Sequence, residues 1–349
     1  MKVLINIPYL KFKGGVSNHY LGLKDYWTED IKYNQIGKTT KKLGSGKYRL
    51  PIDLFKFVFK IALYKPDIVL LNPSLSKRAI ARDLIFLRAA KMLHKTTSVF
   101  FHGFDEDYIN NCNISKLVYW LNQTSTVFVL ASQFAKILKS IGVIVPINVV
   151  STKVDDKLVS NFDIKDRNGS IHSLLFLARI TESKGIFIAL RIYKILLSKY
   201  PDLKFRVVGD GPALNSAKNF CKKNDLSNVV FTGALGGQAL INEYKNNDIY
   251  IFPTFHKEGM PTSVLEAMAF GLPIITRPVG GLVDFFENEK MGEMVDSLKP
   301  EDFVPYVEKY LKNRIQTKMT SIYNYQYAKT HFMASEVAKR MENLLKIYI

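Results

Sequence analysis

The most informative segment of this 349-residue chain runs from one glutamate to another, from Glu258 to Glu266. It follows a predicted strand and enters a predicted helix at Ser263–Phe270. Gly259 allows a ligand to approach the backbone closely, and the free amides at the start of the helix suit an anion such as a diphosphate. Carboxylates at the two ends suit hydroxyl groups. Alternatively, Ser263 and Glu266 form a capping box, in which the glutamate only accepts from a backbone amide.

A second segment carries two cations, Arg179 and Lys184. Arg179 comes directly after the predicted strand Leu174–Ala178, and Lys184 directly precedes a predicted helix. Cations at this position suit a pyrophosphate and can neutralise its charge as it departs. Taken alone, the segment fits a solvated basic loop better than a phosphate site.

These segments belong to an alternation of short apolar runs and amphipathic stretches, which is typical of parallel sheets covered by helices. The predicted strands are Val3–Ile7, Ile68–Leu71, Ser98–Phe101, Val127–Leu130, Leu174–Ala178, Phe205–Val208, Val229–Thr232, Ile249–Phe252 and Ile274–Thr276. The predicted helices are Ile52–Tyr64, Ser76–Leu93, Gln133–Ile141, Ile186–Ser198, Ala213–Lys223, Gln238–Asn246, Ser263–Phe270 and Ala334–Tyr348. The polar segment Asp155–Ser170 is predicted to link two α/β domains.

An ordered series of motifs in the second half resembles glycosyltransferase family 4, a large retaining family of the GT-B fold. The series comprises Leu175–Arg179 with Lys184–Gly185, Val207–Pro212, Phe231–Gly233, Asp248–Pro253, Glu258–Glu266, Ala267–Pro273 and Gly280–Gly281. The resemblance implies an α/β, GT-B architecture of two Rossmann-like domains facing across a cleft. It implies an acceptor domain at 1–158, a nucleotide-sugar domain at 159–332, and a last helix, about 333–349, that packs back onto the first domain.

The resemblance also implies roles for individual residues. Arg179 and Lys184 match residues that bind the donor diphosphate, Glu258 matches the residue that contacts the donor sugar, and Glu266 matches the residue that contacts the ribose. The predicted catalytic residues are His102, Glu258, Arg179 and Lys184. The predicted donor-binding residues are Gly14, Gly15, Arg179, Lys184, Gly209, Gly233, Glu258, Gly259, Met260, Pro261, Thr262, Ser263, Val264 and Glu266. No metal and no cofactor is expected, because the family requires none.

The first half resembles the family more loosely. Gly14 and Gly15 follow the first predicted strand, like the family's glycine loop, although a simple tight turn is the alternative. His102 follows the strand Ser98–Phe101, where the family often has an active-site histidine, although a hydrogen-bonded loop histidine is the alternative. Ser151 and Lys153 depart from the family's Asn-Gly-Val-Asp pattern, so that segment is given no role.

Two further signals are weaker. Asp105 and Asp107 form an Asp-x-Asp pattern that binds metal in another glycosyltransferase fold, and they are also suited to positioning an acceptor hydroxyl. Cys112 and Cys221 are the only cysteines. Their number and spacing exclude a structural zinc site and favour a reducing, cytosolic setting.

The net charge of +18 is concentrated in the first half, where residues 1–160 carry 24 Lys and Arg against 11 Asp and Glu. Such a surface suits nucleic acid, anionic lipid or phosphorylated substrates. Basic residues accompany the apolar predicted helices at 52–64 and 76–93 and the loop Lys38–Arg49, which favours peripheral contact with an anionic membrane. Solvated charges on ordinary packed helices are the alternative. No nucleic-acid-binding motif is present, so nucleic acid is not a predicted partner.

No apolar run reaches the ~20 residues that span a bilayer, and no signal peptide is recognisable. The expected location is the cytoplasm, at the inner face of the membrane. The resemblance implies a retaining, metal-independent, hexosyltransferase-type enzyme. It would move a sugar from a UDP- or GDP-sugar to a lipid-linked or glycan acceptor in cell-surface polysaccharide synthesis. A sugar-nucleotide epimerase of the same fold is the alternative, and a basic nucleic-acid-binding protein is a distant one.

Overall fold

The computed structural model describes residues 1–11, 14–37, 49–167 and 172–349. The chain divides into two compact units. The first contains Met1–Lys153, Lys257–Met260 and Ala334–Ile349, and the second contains Val154–His256 and Pro261–Met333. Most of the basic loop predicted at Lys38–Arg49, residues 38–48, lies outside the described residues.

The first unit is built on a parallel sheet with the strand order β2-β1-β3-β4-β5-β6. The strands are β1 (Lys2–Pro8), β2 (Asp30–Ile36), β3 (Ile68–Leu71), β4 (Thr96–Phe101), β5 (Thr126–Val129) and β6 (Ile147–Val149). The helices are α1 (Gly15–Leu23), α2 (Leu50–Tyr64), α3 (Lys77–Met92), α4 (Glu106–Asn111), α5 (Ile114–Leu121), α6 (Ser132–Ser140) and the last helix, α14 (Ala334–Lys346).

Apolar side chains of this sheet are buried in two clusters. One is formed with α2 and α3 and includes Phe57 and Phe86. The other is formed with α1 and α14 and includes Tyr20, Phe100 and Met341. Burial in two clusters explains why the strands read as continuous apolar runs rather than as alternating patterns.

The second unit is built on a parallel sheet with the order β12-β11-β10-β7-β8-β9. Its strands are β7 (Ser173–Leu177), β8 (Lys204–Val208), β9 (Val229–Gly233), β10 (Ile249–Phe252), β11 (Ile274–Thr276) and β12 (Gly292–Met294). Its helices are α7 (Asp156–Val159), α8 (Ile186–Leu197), α9 (Leu214–Lys223), α10 (Gly237–Asn246), α11 (Thr262–Ala269), α12 (Val304–Lys312) and α13 (Arg314–His331). Both units are Rossmann-like, which confirms the predicted fold class.

The strand orders identify one place in each sheet where the direction of winding reverses. In the first unit it lies between β1 and β3, and in the second between β7 and β10. Open α/β sheets bind ligands beyond the carboxyl ends of the strands at such switch points. The loops after these four strands are therefore where a site is expected.

The described part of the segment 155–170, which was predicted to link the two domains, belongs to the second compact unit. The segment contains α7 and a short 3-10 helix, Ile164–Asp166, whose start carries a capping box between Asp163 and Asp166. The buried guanidinium of Arg167 donates to the carbonyl oxygens of Phe270, Asn247 and Tyr244. Helices this short show no apolar periodicity, which is why the sequence alone does not predict them.

Candidate functional site

The loop after β7 carries both predicted phosphate-binding cations of the second unit. Arg179 is exposed, and Lys184 is half-buried with its ammonium nitrogen 5.9 Å from the centre of the Phe252 ring. The loop is tied to the end of β10, because the amide of Phe255 and the hydroxyl of Thr254 donate to the carbonyl of Ser183. The sequence-predicted cations thus lie at the switch point of this sheet.

Glycines make these close approaches possible. A Cβ on Gly209 would lie 1.9 Å from the carbonyl oxygen of Ala178, and one on Gly185 would lie 2.2 Å from that of Pro253. Both residues have positive φ, which L-residues adopt only at a cost. Gly233 also has positive φ, and its carbonyl accepts from the amide of Gly209, but space around its Cα is open.

Helix α11 begins directly after Pro261, and no side chain of the described residues caps its N-terminus. Its first residues, Thr262–Val264, are those predicted to present amides to an anion. The capping-box alternative for Glu266 was wrong: helix α11 already begins at Thr262, and Glu266 Oε2 accepts from the Tyr244 hydroxyl at 2.8 Å. Ser263 Oγ lies 2.8 Å from the hydroxyl of Tyr250. Burial and the neighbouring Glu266 raise the pKa of Tyr244 well above its usual value, so its hydroxyl stays a donor.

In the first unit, Gly14 and Gly15 lie at the start of α1, in the loop that follows β1. Gly14 is the N-cap residue with an extended backbone, at φ −174°. No atom lies within 4 Å of a Cβ built on either glycine, among the parts of the chain that the structure describes. Among the described residues, no neighbour is close enough to exclude a Cβ at either position.

His102 follows β4, and its side chain is held by a residue that the sequence reasoning missed, Asn72 after β3. The Nε2 of His102 lies 3.0 Å from Asn72 Oδ1, which also accepts from the Tyr20 hydroxyl at 2.5 Å. The imidazole packs against the Phe100 ring, with centroids 3.8 Å apart. Burial, and secondarily the nearby imidazole of His19, hold the pKa of His102 well below its usual value.

A second imidazole, that of His19, lies next to His102 and was also not predicted from the sequence. His19 of α1 is buried, with its ring centroid 4.9 Å from that of His102. Burial, and secondarily the charge of Lys153, lower the pKa of His19 to about 3. Within the described residues its Nε2 has no hydrogen-bond partner, and its Nδ1 lies 3.5 Å from Thr152 Oγ1. The only sequence signals for these two residues were their positions. Asn72 comes one residue after a strand, and His19 lies in a helix that begins with glycine.

The two residues that depart from the family pattern, Ser151 and Lys153, contact the helices α14 and α1. The Lys153 side chain passes over Gly22 of α1, where a Cβ would come 2.1 Å from its Cε. Ser151 Oγ accepts from the guanidinium of Arg340 on α14 at 3.3 Å. The segment that was given no role therefore contributes a positive charge near the His19 imidazole.

Residues Lys257–Met260 belong to the first compact unit, whereas the sequence analysis placed them in the second domain. Within that unit, a Cβ on Gly259 would lie 3.0 Å from the His102 carbonyl oxygen. Met260 packs against the apolar cluster of α1 and α14. Glu258 is half-buried. These contacts place the predicted sugar-binding glutamate in the same unit as His102.

The Asp-x-Asp pattern serves local structure. Asp105 caps α4 by accepting from the Tyr108 amide, and Asp107 forms an exposed ion pair with Lys257 at 2.9 Å. Among the described residues, no group of three or more His, Cys, Asp or Glu side chains is arranged to hold a metal ion.

One cavity of the second unit lies away from all of these residues. Its volume is about 430 Å³, and its lining includes Lys204, Arg206 and Asp248, which lie at the amino ends of the strands. None of the predicted site residues lines it, and the Arg206 guanidinium in its wall is already paired with Glu243.

Residues 161–328 match the family model of the glycosyl transferases group 1. The match covers nearly all of the second unit. It includes Arg179, Lys184, Glu258 and the whole of α11, so the residues singled out after β7 and β10 lie in the region that defines the family.

Individual relatives agree with this match. An uncharacterized glycosyltransferase of Haemophilus influenzae is 29% identical over 143 residues, which are 40% of this chain and 40% of that protein. The capsular polysaccharide biosynthesis glycosyltransferase CapM of Staphylococcus aureus is 32% identical over 39% of this chain and 35% of its own length. The chain thus spans less than half the length of these curated relatives.

A solved structure is similar over nearly the whole chain. Alr3699/HepE of Anabaena, in complex with UDP and glucose, superposes on 99% of each chain with a TM-score of 0.75 at 13% identity, which is a likeness of fold. The family model therefore supports the recognition made from the motifs over residues 161–328, and the likeness of fold confirms the GT-B prediction. Membership of family 4 and retention of configuration stay predictions.

Proposed function

We propose that this chain, which carries a group 1 glycosyltransferase domain in its second unit, transfers a sugar from a nucleotide-sugar donor to a lipid-linked or glycan acceptor. The observation that carries the proposal is the uncapped N-terminus of α11 and the Arg179–Lys184 loop, both following strands at one topological switch point. Backbone amides that donate hydrogen bonds, together with cations, suit a diphosphate at such a point. The UDP in the Anabaena structure supports the same ligand class.

In this proposal the cations stabilise the diphosphate as the sugar leaves. Arg179 and Lys184 neutralise the charge that grows on the leaving group, and the amides at Thr262–Val264 add dipoles directed at its oxygens. Glu258 orients the sugar and Glu266 binds the ribose. The acceptor hydroxyl attacks from the face that the diphosphate vacates, which gives retention, and no metal or cofactor is assigned to the step.

The first experiment measures donor binding and transfer together. Thermal unfolding with UDP-, GDP- and ADP-sugars identifies the nucleotide, because a ligand that binds only the folded state raises the apparent stability. Arg179→Ala should weaken both the stabilisation and the transfer rate, since a charge-assisted contact contributes about 1.5–3 kcal/mol. The control is Arg314→Ala, an exposed arginine at the start of α13. Undiminished transfer by Arg179→Ala would remove the phosphate assignment.

Product analysis separates transfer from epimerisation. Without an acceptor, an epimerase of this fold converts the sugar and keeps it attached to the nucleotide. A transferase releases free nucleotide only as the sugar is transferred or hydrolysed. Epimerised nucleotide-sugar as the main product would contradict the proposal.

Peripheral contact with anionic lipid is part of the proposed setting, in the cytoplasm at the inner membrane face. Helix α2 exposes an apolar face made of Ile52, Phe55, Phe59 and Leu63, of which Phe55 is 72% and Leu63 69% exposed. The rings of Phe55 and Phe59 stack with centroids 6.2 Å apart. The only acidic residue of α2, Asp53, is buried, whereas Lys56 is exposed beside the apolar face. Exposed aromatics with flanking cations fit the surface of an anionic bilayer.

Some basic side chains of the first unit make contacts within the protein. Arg82 of α3 pairs with Asp83, and Arg88 lies over the Trp120 ring at 4.5 Å. In the described residues, no helix is long and apolar enough to cross a membrane. The bilayer contact is therefore proposed for the α2 face rather than for the basic residues of α3.

Vesicle cosedimentation tests this contact. The wild type should bind phosphatidylglycerol vesicles more strongly than phosphatidylcholine vesicles, and Phe55→Ser with Phe59→Ser should abolish the difference. The control pair is Ile315→Ser with Met319→Ser on α13, where both side chains are similarly exposed. Equal binding by the two double variants would exclude α2 as the docking face.

A further inference from the structure

The side-chain amide of Asn72 is held in a single orientation. Its Nδ2 donates to the carbonyl oxygens of Asn6 and Leu70, at 3.2 and 3.3 Å, and its Oδ1 accepts from the Tyr20 hydroxyl. Rotating the amide by half a turn would place Oδ1 against two carbonyl oxygens, with no hydrogen between them. The oxygen, and not the nitrogen, therefore faces His102.

This orientation determines which nitrogen of His102 carries the ring proton. An amide oxygen can only accept, so Nε2, at 3.0 Å from Asn72 Oδ1, has to be the donor. A neutral imidazole carries one N–H, and its other nitrogen carries a lone pair. With the proton on Nε2, the lone pair is on Nδ1.

The surroundings also favour the neutral ring. His102 packs on Phe100 and lies edge-on to His19 and Tyr20, and Lys153 adds positive charge near His19. Burial and the imidazole of His19 keep the pKa of His102 far below neutrality. A general base works best with a pKa near the operating pH. The contacts therefore suit a ring that accepts a hydrogen bond more than one that takes up a proton.

We propose that Asn72 is a positioning residue that holds His102 as the Nε2–H tautomer, so that Nδ1 accepts a hydrogen bond from a substrate hydroxyl and orients it. The identity of the hydroxyl rests on the proposed function, whereas the tautomer depends only on contacts within the protein. No bond is made or broken at His102 in this role. Tyr20 supports the arrangement by donating to the same amide oxygen, but the two backbone carbonyls hold the amide without it.

Nitrogen NMR of the histidine side chains measures the tautomer directly. A protonated and an unprotonated ring nitrogen give distinct shifts, and the resonances lost in His102→Gln identify the residue among the six histidines. The wild type should show N–H at Nε2 and a lone pair at Nδ1. Asn72→Leu removes the acceptor, and the His102 resonances should shift toward a mixture of tautomers.

The matched control is Asn34→Leu in β2, which is separated from β3 by β1. Asn34 is as buried as Asn72 and donates to Asn6 Oδ1 at 2.8 Å, but it has no bond to His102. It should keep the Nε2–H tautomer. Tyr20→Phe should also keep it, because Asn6 and Leu70 still fix the amide.

Steady-state transfer assays give the functional readout. Asn72→Leu should lower kcat/KM for the acceptor by about tenfold, as expected for one misdirected hydrogen bond, with a smaller effect on donor KM. Asn34→Leu should change neither parameter by more than about twofold. Asn72→Ala, which replaces the amide by a smaller group, provides the same comparison if Asn72→Leu fails to fold.

Two results would overturn the inference. A proton on Nδ1 of wild-type His102 would show that the amide does not set the tautomer, and this measurement needs no variant. Tautomer mixing in Asn72→Leu with unchanged acceptor kinetics would show that the tautomer has no role in the reaction. If no donor is turned over by the wild type but the tautomer is as stated, the proposed function fails and the Asn72 assignment stands.

Discussion

Two pairs of glycines, one pair in the loops of each Rossmann-like unit, differ in backbone conformation and in the room around them. In the second unit, Gly185 and Gly209 have positive φ and lie where a Cβ would come within about 2.2 Å of a backbone oxygen. In the first unit, neither Gly14 nor Gly15 has a positive φ or a neighbour within 4 Å of a built Cβ among the described residues. The described neighbours require glycine at the first pair and leave room for a Cβ at the second pair.

This difference changes how the motifs should be weighed. The glycines that gave the clearest family resemblance are explained in part by close packing between neighbouring loops, so they identify a fold more than a ligand. Among the described residues nothing crowds a Cβ built on Gly14 or Gly15, so substitution of these glycines tests the approach of a ligand more directly.

Gly209→Ala should give the largest effect on stability. The new Cβ would meet the Ala178 carbonyl oxygen, and an L-residue would have to adopt a positive φ, at a combined cost of about 2–5 kcal/mol. Chemical denaturation followed by circular dichroism measures this change. Gly236→Ala is the control in the same unit, since it has open space and an extended backbone, and it should cost less than about 1 kcal/mol. Similar costs for both variants would remove the distinction between required and free glycines.

Much of the fold could be predicted from the sequence because buried parallel strands are apolar throughout. The strands Ile68–Leu71, Ile249–Phe252 and Ile274–Thr276 were predicted with the bounds that the structure has. Strand β2 was missed because it is an edge strand with alternating exposed and buried residues and several polar side chains. Helix α13 was missed because its sequence is rich in tyrosine and polar residues and shows little apolar periodicity.

The site was predictable to the extent that its residues follow strands or start helices. Arg179 and Thr262 could be placed in this way. Asn72 and His19 could not, because their importance comes from hydrogen bonds and ring contacts between segments far apart in the chain. The role of Glu266 could not be decided either, since Tyr244, its hydrogen-bond donor, lies on another helix.

The first unit also differs in carrying a buried imidazole, that of His19, in the helix that follows its glycine loop. Among the described residues the Nε2 of this imidazole has no hydrogen-bond partner. With a folded pKa of about 3 against an ordinary value of 6.5, the unfolded chain binds a proton between these values that the folded chain does not. Protonation of His19 in the unfolded chain therefore costs almost no stability above pH 6.5. Below pH 6.5 it lowers the free energy of unfolding progressively as the pH falls. At pH 5 the loss should be about 2 kcal/mol.

Denaturation of wild type and His19→Phe at pH 8 and pH 5 isolates this contribution, because the carboxylates are common to both proteins. Phenylalanine suits the aromatic surroundings of Tyr20 and Phe100. The variant should lose less stability on acidification than the wild type. An equal loss in both proteins would show that His19 is already protonated in the folded state.

Gly15→Ala should have the smallest effect on stability and a clear effect on the ligand. The substitution adds a Cβ in open space at the first residue of α1, so the free energy of unfolding should change by less than about 1 kcal/mol in either direction. If the donor phosphates approach this loop, the same Cβ should weaken nucleotide-sugar binding by about tenfold, the cost of a modest steric conflict. Calorimetric titration with the donor identified by thermal unfolding measures the affinity, with Gly236→Ala as the control. Unchanged affinity in Gly15→Ala would mean that position 15 is glycine for a reason other than donor binding. In the first unit, only Gly14 and the amides of α1 would then remain as candidate phosphate-binding groups.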